Sequence, residues 1–227
     1  MIFTQLTDGV LNAAATPFKV IYTCIWYIIC AFLVFTVHDF AQALAAKAFG
    51  DKSIKLSFHP VKQIKNTENW ISTACIVLFW AGWKKTINTA DLSRPKKMLV
   101  ALSGPISCGI LCIPAFSAWK AVNLLYHTSL GNMADIFVVP FSALFIALTV
   151  ICIFSLFPLP PYDGGIFLAQ LLPWDIRDKF INVFDNKISL LIFIITIAFT
   201  TQQGLTWTLL ENIYLFLGNT WNAVFGG

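Results

Sequence analysis

From Val20 to Val37 the chain carries no charge, and eighteen apolar residues are enough to begin a helical bilayer crossing. The helix is expected to continue through a polar cluster, His38, Asp39 and Gln42, to Phe49, where Gly50 supplies a stop. Five lysines between Lys47 and Lys65, then Thr67-Glu68-Asn69, make a polar loop. Trp70 to Trp83 is apolar but only fourteen residues long, which fits a segment that enters and leaves on one side. After Lys84-Lys85 and Arg94-Pro95-Lys96-Lys97, Met98 to Trp119 forms a second crossing with Gly104-Pro105 near its start. A third uncharged run goes from Ile136 to Tyr162 and ends in the turn Pro158-Leu159-Pro160-Pro161-Tyr162-Asp163-Gly164-Gly165. Residues 175–187 are polar and basic, Ile188 to Leu210 is a fourth crossing, and the tail beyond holds one charge, Glu211. The pattern predicts an all-α polytopic membrane protein: four transmembrane helices plus a re-entrant hairpin, without internal repeats. It divides into an interfacial lead-in (1–19), a transmembrane domain (20–210) and a tail (211–227).

Composition sharpens this reading. Of 227 residues, 58% are hydrophobic and only 11% are charged, roughly half the charged share of a soluble domain. Ten of the fifteen Lys and Arg lie between Lys47 and Lys97, and three more between Arg177 and Lys187. If residues 70–83 crossed, those basic loops would fall on opposite faces. If they re-enter, all thirteen share one face, which the positive-inside rule favours and makes cytoplasmic. The N-terminus is then outside. It has neither a basic leader region nor a small-residue cleavage site, so no removed signal peptide is expected. The absence of a transit peptide and the compact form point to a bacterial inner membrane. No Lys/Arg cluster interleaved with aromatics suggests a nucleic-acid surface.

The chemistry concentrates at His38-Asp39-Phe40-Ala41-Gln42. Ionisable groups within an apolar span are expensive and mark a functional site by default. On a helix His38 and Gln42 share one face, the layout of the His-Glu-x-x-His zinc motif with two of its three positions changed. The predicted topology puts His38 at the inner end of the first crossing and Asp163 just past the inner end of the third, at similar depth. A bundle therefore brings His38, Asp39, Gln42 and Asp163 together. The six cysteines, at 24, 30, 75, 108, 112 and 152, all lie in apolar stretches without a Cys-x-x-Cys, and read as small buried side chains. His59 reads as an interfacial histidine, and His127 lies on the wrong side for this site.

These landmarks resemble the site-2 proteases, intramembrane zinc metalloproteases, and in particular their compact bacterial branch without a PDZ domain. The resemblance covers roughly Phe32 to Leu172. His38-Asp39-Phe40-Ala41-Gln42-Ala43 stands where that family has His-Glu-x-x-His-Ala. Phe49-Gly50-Asp51, Leu56-Ser57-Phe58-His59-Pro60-Val61-Lys62, Gly82-Trp83-Lys84 and Arg94-Pro95-Lys96-Lys97 follow in the family's order. Ala101-Leu102-Ser103-Gly104-Pro105-Ile106-Ser107 is similar to its Ala-x-Ala-Gly-Pro-x-Ser, and Ser155 to Gly165 to its Asn-x-x-Pro-x-Pro-Pro-x-Asp-Gly-Gly. The resemblance implies that His38, Gln42 and Asp163 occupy zinc-ligand positions and that Asp39 occupies the general-base position. Cys108 and Ser155 then stand at substrate-binding asparagine positions.

Two readings of function follow. In the leading one the catalytic site is degenerate and the protein binds a transmembrane helix or partner subunit without cutting it. Gln42 offers zinc a weak neutral donor, and Asp39 reaches about 1.3–1.5 Å less far than Glu, where misplacement by about 1 Å can cost on the order of 100-fold. In the alternative, an active intramembrane zinc protease uses His38, Asp163 and an unusual third ligand to cleave transmembrane substrates. The bilayer is a partner in both, and zinc is the cofactor if there is one.

Overall fold

The computed structural model describes residues 17–56, 58, 70–74, 87, 89, 92–126, 131–160, 162–182 and 205–225. Among them there is no strand. The helices described over their length are, in chain order, α1 (Pro17–Ala48), α2 (Arg94–Tyr126), α3 (Gly131–Ser155), α4 (Asp163–Ala169), α5 (Trp174–Asn182) and α6 (Leu205–Phe225). Among the described residues three stretches are long and apolar enough to cross a membrane: Ile21–Ala48, Arg94–Leu125 and Ile136–Ser155. The fourth expected crossing, 188–210, lies outside the described residues except for its last six positions. Those belong to α6, which runs on across position 210 into the segment read as a tail. Of the short apolar run 70–83, residues 70–74 are helical and the rest lie outside the described residues.

The first three helices pack against one another along their lengths, because each is apolar on every side. One face fills the core: Phe35 and Val34 from α1, Cys108 and Phe116 from α2, Phe145 and Ile146 from α3. The opposite faces carry Ile21, Ile25, Ile29 and Leu33 on α1, and Ile106, Ile110 and Ile113 on α2, all exposed. In water such stripes would be a liability, whereas in hydrocarbon they face acyl chains. Tyr214 of α6 closes one end of the core against Phe116 and Trp119, with ring centroids 5.5 and 5.6 Å apart.

The ends and prolines of these helices obey hydrocarbon's demand that backbone groups find partners inside the protein. α1 stops at Gly50, whose φ of 98° is the left-handed conformation that favours glycine. The Gly50 N–H reaches the Lys47 carbonyl and the Asp51 N–H the Ala46 carbonyl, both at 3.0 Å. Pro140 within α3 has no N–H for the Ile136 carbonyl one turn earlier, and the Tyr22 hydroxyl of α1 donates to that carbonyl at 2.6 Å. Thr36, Ser103, Ser107 and Thr149 return their hydroxyls to carbonyls of the preceding turn.

Between α3 and α4 the proline-rich turn folds back on itself. Leu159 N–H donates to the Phe157 carbonyl at 2.9 Å and Tyr162 N–H to the Leu159 carbonyl at 3.1 Å. Gly164 and Gly165 lie in the first turn of α4, where a Cβ would collide with the backbone at Leu156–Phe157 and at Leu159–Pro160 respectively. Their role is close packing of a helix onto the turn, which fixes where Asp163 sits.

Candidate functional site

α1 contributes His38 and Gln42, one helical turn apart and both without solvent exposure. α4 contributes Asp163, its first residue, equally buried. The structure brings these three together. His38 Nε2 lies 2.8 Å from Asp163 Oδ2, and Gln42 Nε2 donates to Asp163 Oδ1 at 2.6 Å. The carboxylate thus accepts one hydrogen bond on each oxygen. An ionised carboxylate offers only acceptors, so in a bond to it His38 Nε2 is the donor.

Asp39 is on the other edge of the imidazole. Its Oδ1 is 3.7 Å from His38 Nδ1, beyond hydrogen-bonding reach, and a quarter of its side chain is exposed. Cys108 and Ser155 are both buried without exposure. Cys108 belongs to the core between the three long helices, and the Ser155 hydroxyl is buried at the end of α3. Neither is presented on an open surface. His59 and His127 lie outside the described residues.

Two further features complete the site. The Gln42 carbonyl oxygen accepts the Ile87 N–H at 3.1 Å, and its amide nitrogen also approaches the Ala101 carbonyl at 3.4 Å. Ala101 lies four residues before Pro105, so its carbonyl lacks a helical donor, and Gln42 offers one. Pro105 was therefore a legible signal for a carbonyl seeking a partner, whereas nothing in the sequence singles out Ile87. The second feature is Gly104. A Cβ there would run into the His38 ring, so only glycine lets α2 approach the imidazole this closely.

The donor set decides what this arrangement can hold. Catalytic zinc takes three protein ligands and leaves a fourth position open. Two ligands on a tetrahedral zinc, with bonds of about 2.0–2.1 Å, stand about 3.3 Å apart. His38 Nε2 and Asp163 Oδ2, 2.8 Å apart, are instead hydrogen-bonded to each other. Gln42 turns its N–H toward Asp163, and the Ile87 N–H fixes its oxygen on the other side. Among the described residues no group of three or more His, Cys, Asp or Glu is placed to hold a metal. Among the described residues the good zinc donors at this site are two, His38 and Asp163, one short of the three that a catalytic zinc takes. With Gln42 they form a hydrogen-bonded tie joining α1, α2, α4 and the segment at Ile87.

No protein-family model matches the chain, and no solved structure matches it. A curated relative does: "Putative zinc metalloprotease YwhC" of Bacillus subtilis (strain 168), 27% identical over 197 residues, covering 82% of this chain and 86% of that protein. The chain is thus similar, over most of its length, to a protein named for zinc proteolysis.

Proposed function

We propose that this is a membrane-embedded protein of the site-2-protease family whose metalloprotease site has become a hydrogen-bonded His38–Asp163–Gln42 tie. It binds a transmembrane helix or a partner subunit without cutting it. The orientation of Gln42 carries this reading: the amide standing at the second histidine position gives its N–H to Asp163 and its oxygen to Ile87. The resemblance of landmarks across Phe32 to Leu172 and the zinc metalloprotease name of a relative at 27% identity support the family. The three apolar crossings support a membrane location, and the clustered Lys and Arg support a bacterial inner membrane with basic loops facing the cytoplasm.

The test is co-reconstitution of the purified protein with fluorescently tagged single-span helices, in the presence of zinc. Energy transfer without loss of full-length helix is the expected outcome. Zinc-dependent cleavage that stops in His38→Ala would overturn it. The competing reading, an active zinc protease with Asp39 as base, draws on the relative's name and on the juxtaposition of His38 and Asp163. In that case cleavage would also stop in Asp39→Asn.

A further inference from the structure

A second polar cluster lies away from the His38 site, where the start of α2 meets α5. The Arg94 guanidinium carbon is 3.8 Å from the centre of the Trp174 ring, and that of Arg177 is 4.1 Å from the same ring. Two like charges gathered on one indole repel each other and call for an anion. Arg177 has Asp178, which accepts from Nε at 3.0 Å and from Nη2 at 2.9 Å, but that carboxylate is mostly exposed. Arg94 reaches the Leu172 carbonyl through Nη1 at 3.3 Å, while its buried Nε and Nη2 have no acceptor among the described residues. Buried guanidinium N–H groups without acceptors are costly, which points to a partner from outside the chain.

The surroundings say what that partner is. Arg94 is the first residue of a membrane-crossing stretch, which puts it at headgroup depth. Leu171, the Trp174 ring that carries both arginines, and Ile176 are exposed at 60%, 64% and 53%. A guanidinium fork matches phosphate oxygens, and an exposed Trp with Leu and Ile suits the headgroup–acyl boundary. We propose that Arg94, Arg177 and Trp174 form a site for an anionic phospholipid, with its phosphate on the guanidiniums and its acyl chains along Leu171 and Ile176. A free phosphate shares the first chemistry but has no use for the exposed apolar side chains. The site is independent of whether the His38 cluster is catalytic.

The test uses the full-length protein in nanodiscs of equimolar phosphatidylcholine and phosphatidylglycerol, released into native mass spectrometry to count retained phosphatidylglycerol. Arg94→Gln with Arg177→Gln is expected to lower retention about thirtyfold, and Trp174→Ala to lower it several-fold. Lys47→Gln with Lys52→Gln removes the same charge from exposed positions and is expected to leave retention within about twofold of wild type. If the arginine variant is not monodisperse, Arg94→Lys with Arg177→Lys replaces it, keeping both charges but removing fork and stack, and must still lose more than the lysine control. Equal losses in the arginine and lysine variants would overturn the site. Displacement of the lipid by inorganic phosphate at matched ionic strength would overturn the lipid assignment.

Discussion

Gln42 is the residue on which the candidate site turns, since it satisfies three groups from three other parts of the chain. Gln42→Leu keeps the side-chain volume but removes the acceptor from the Ile87 N–H and one donor from Asp163. The expected cost is about 1–3 kcal/mol for each group affected. It is read as a lowered unfolding midpoint in detergent together with faster hydrogen exchange at the Ile87 amide. An unchanged exchange rate there would mean that the amide contributes nothing to holding that segment. Gly104→Ala tests the same site from the α2 side. The added methyl meets the His38 ring, and overpacking of this kind costs about 1–3 kcal/mol. A thermal midpoint equal to wild type would show that the ring has room to move. At this scale the sequence was informative about the pair His38 and Asp163, since both were expected at the same end of neighbouring apolar runs and the structure brings them together. It was silent on Ile87, because a backbone N–H from a distant loop leaves no mark in residue type. The role of Gln42 as a tie followed only in outline: Pro105 advertises a free Ala101 carbonyl, but not which side chain takes it.

Among the elements, the long apolar runs were readable because hydrocarbon imposes length and forbids charge, a stronger constraint than propensity. α1 ends where Gly50 said it would, with the left-handed glycine and its paired carbonyls in place. α3 begins at Gly131, before the uncharged run, so Asp135 lies inside a helix that the charge criterion had started at Ile136. α5 was missed. Its nine residues mix Asp175, Arg177, Asp178 and Lys179 with Trp174, Ile176 and Phe180, a short amphipathic pattern hidden in a stretch that reads as polar loop. The glycines after Asp163 were read partly as turn residues, yet they lie in α4 and their use is close approach to the turn backbone. Gly165→Ala therefore sets a methyl against the backbone at Leu159 and Pro160, which cannot rotate away as a side chain can. The expected outcome is loss of monodisperse protein on size exclusion at a temperature where wild type persists. Gly218→Ala, which has nothing within 4 Å of the added methyl, should behave as wild type.

For the whole molecule, the arrangement predicts which face each loop sees. Lys96 at the start of α2 and Lys120 near its other end lie at opposite ends of one crossing. In intact cells a membrane-impermeant maleimide should label Lys120→Cys, and should label Lys96→Cys only after the membrane is opened, with the wild-type protein as background for its native cysteines. The reverse pattern would invert the orientation inferred from the basic loops. If the expected labelling is found, the His38 cluster, enclosed by α1, α2 and α4, lies toward the inner surface. There the described residues offer zinc two good donors, His38 and Asp163. The most direct measurement is zinc per protein in the detergent-purified wild type, in His38→Ala, and in the double variant Asp39→Glu with Gln42→His. The proposed hydrogen-bonded tie predicts no stoichiometric zinc in the wild type and zinc uptake in the double variant, where a second imidazole replaces the amide. Stoichiometric zinc in the wild type, lost in His38→Ala, would contradict it and make the protease reading the one to pursue.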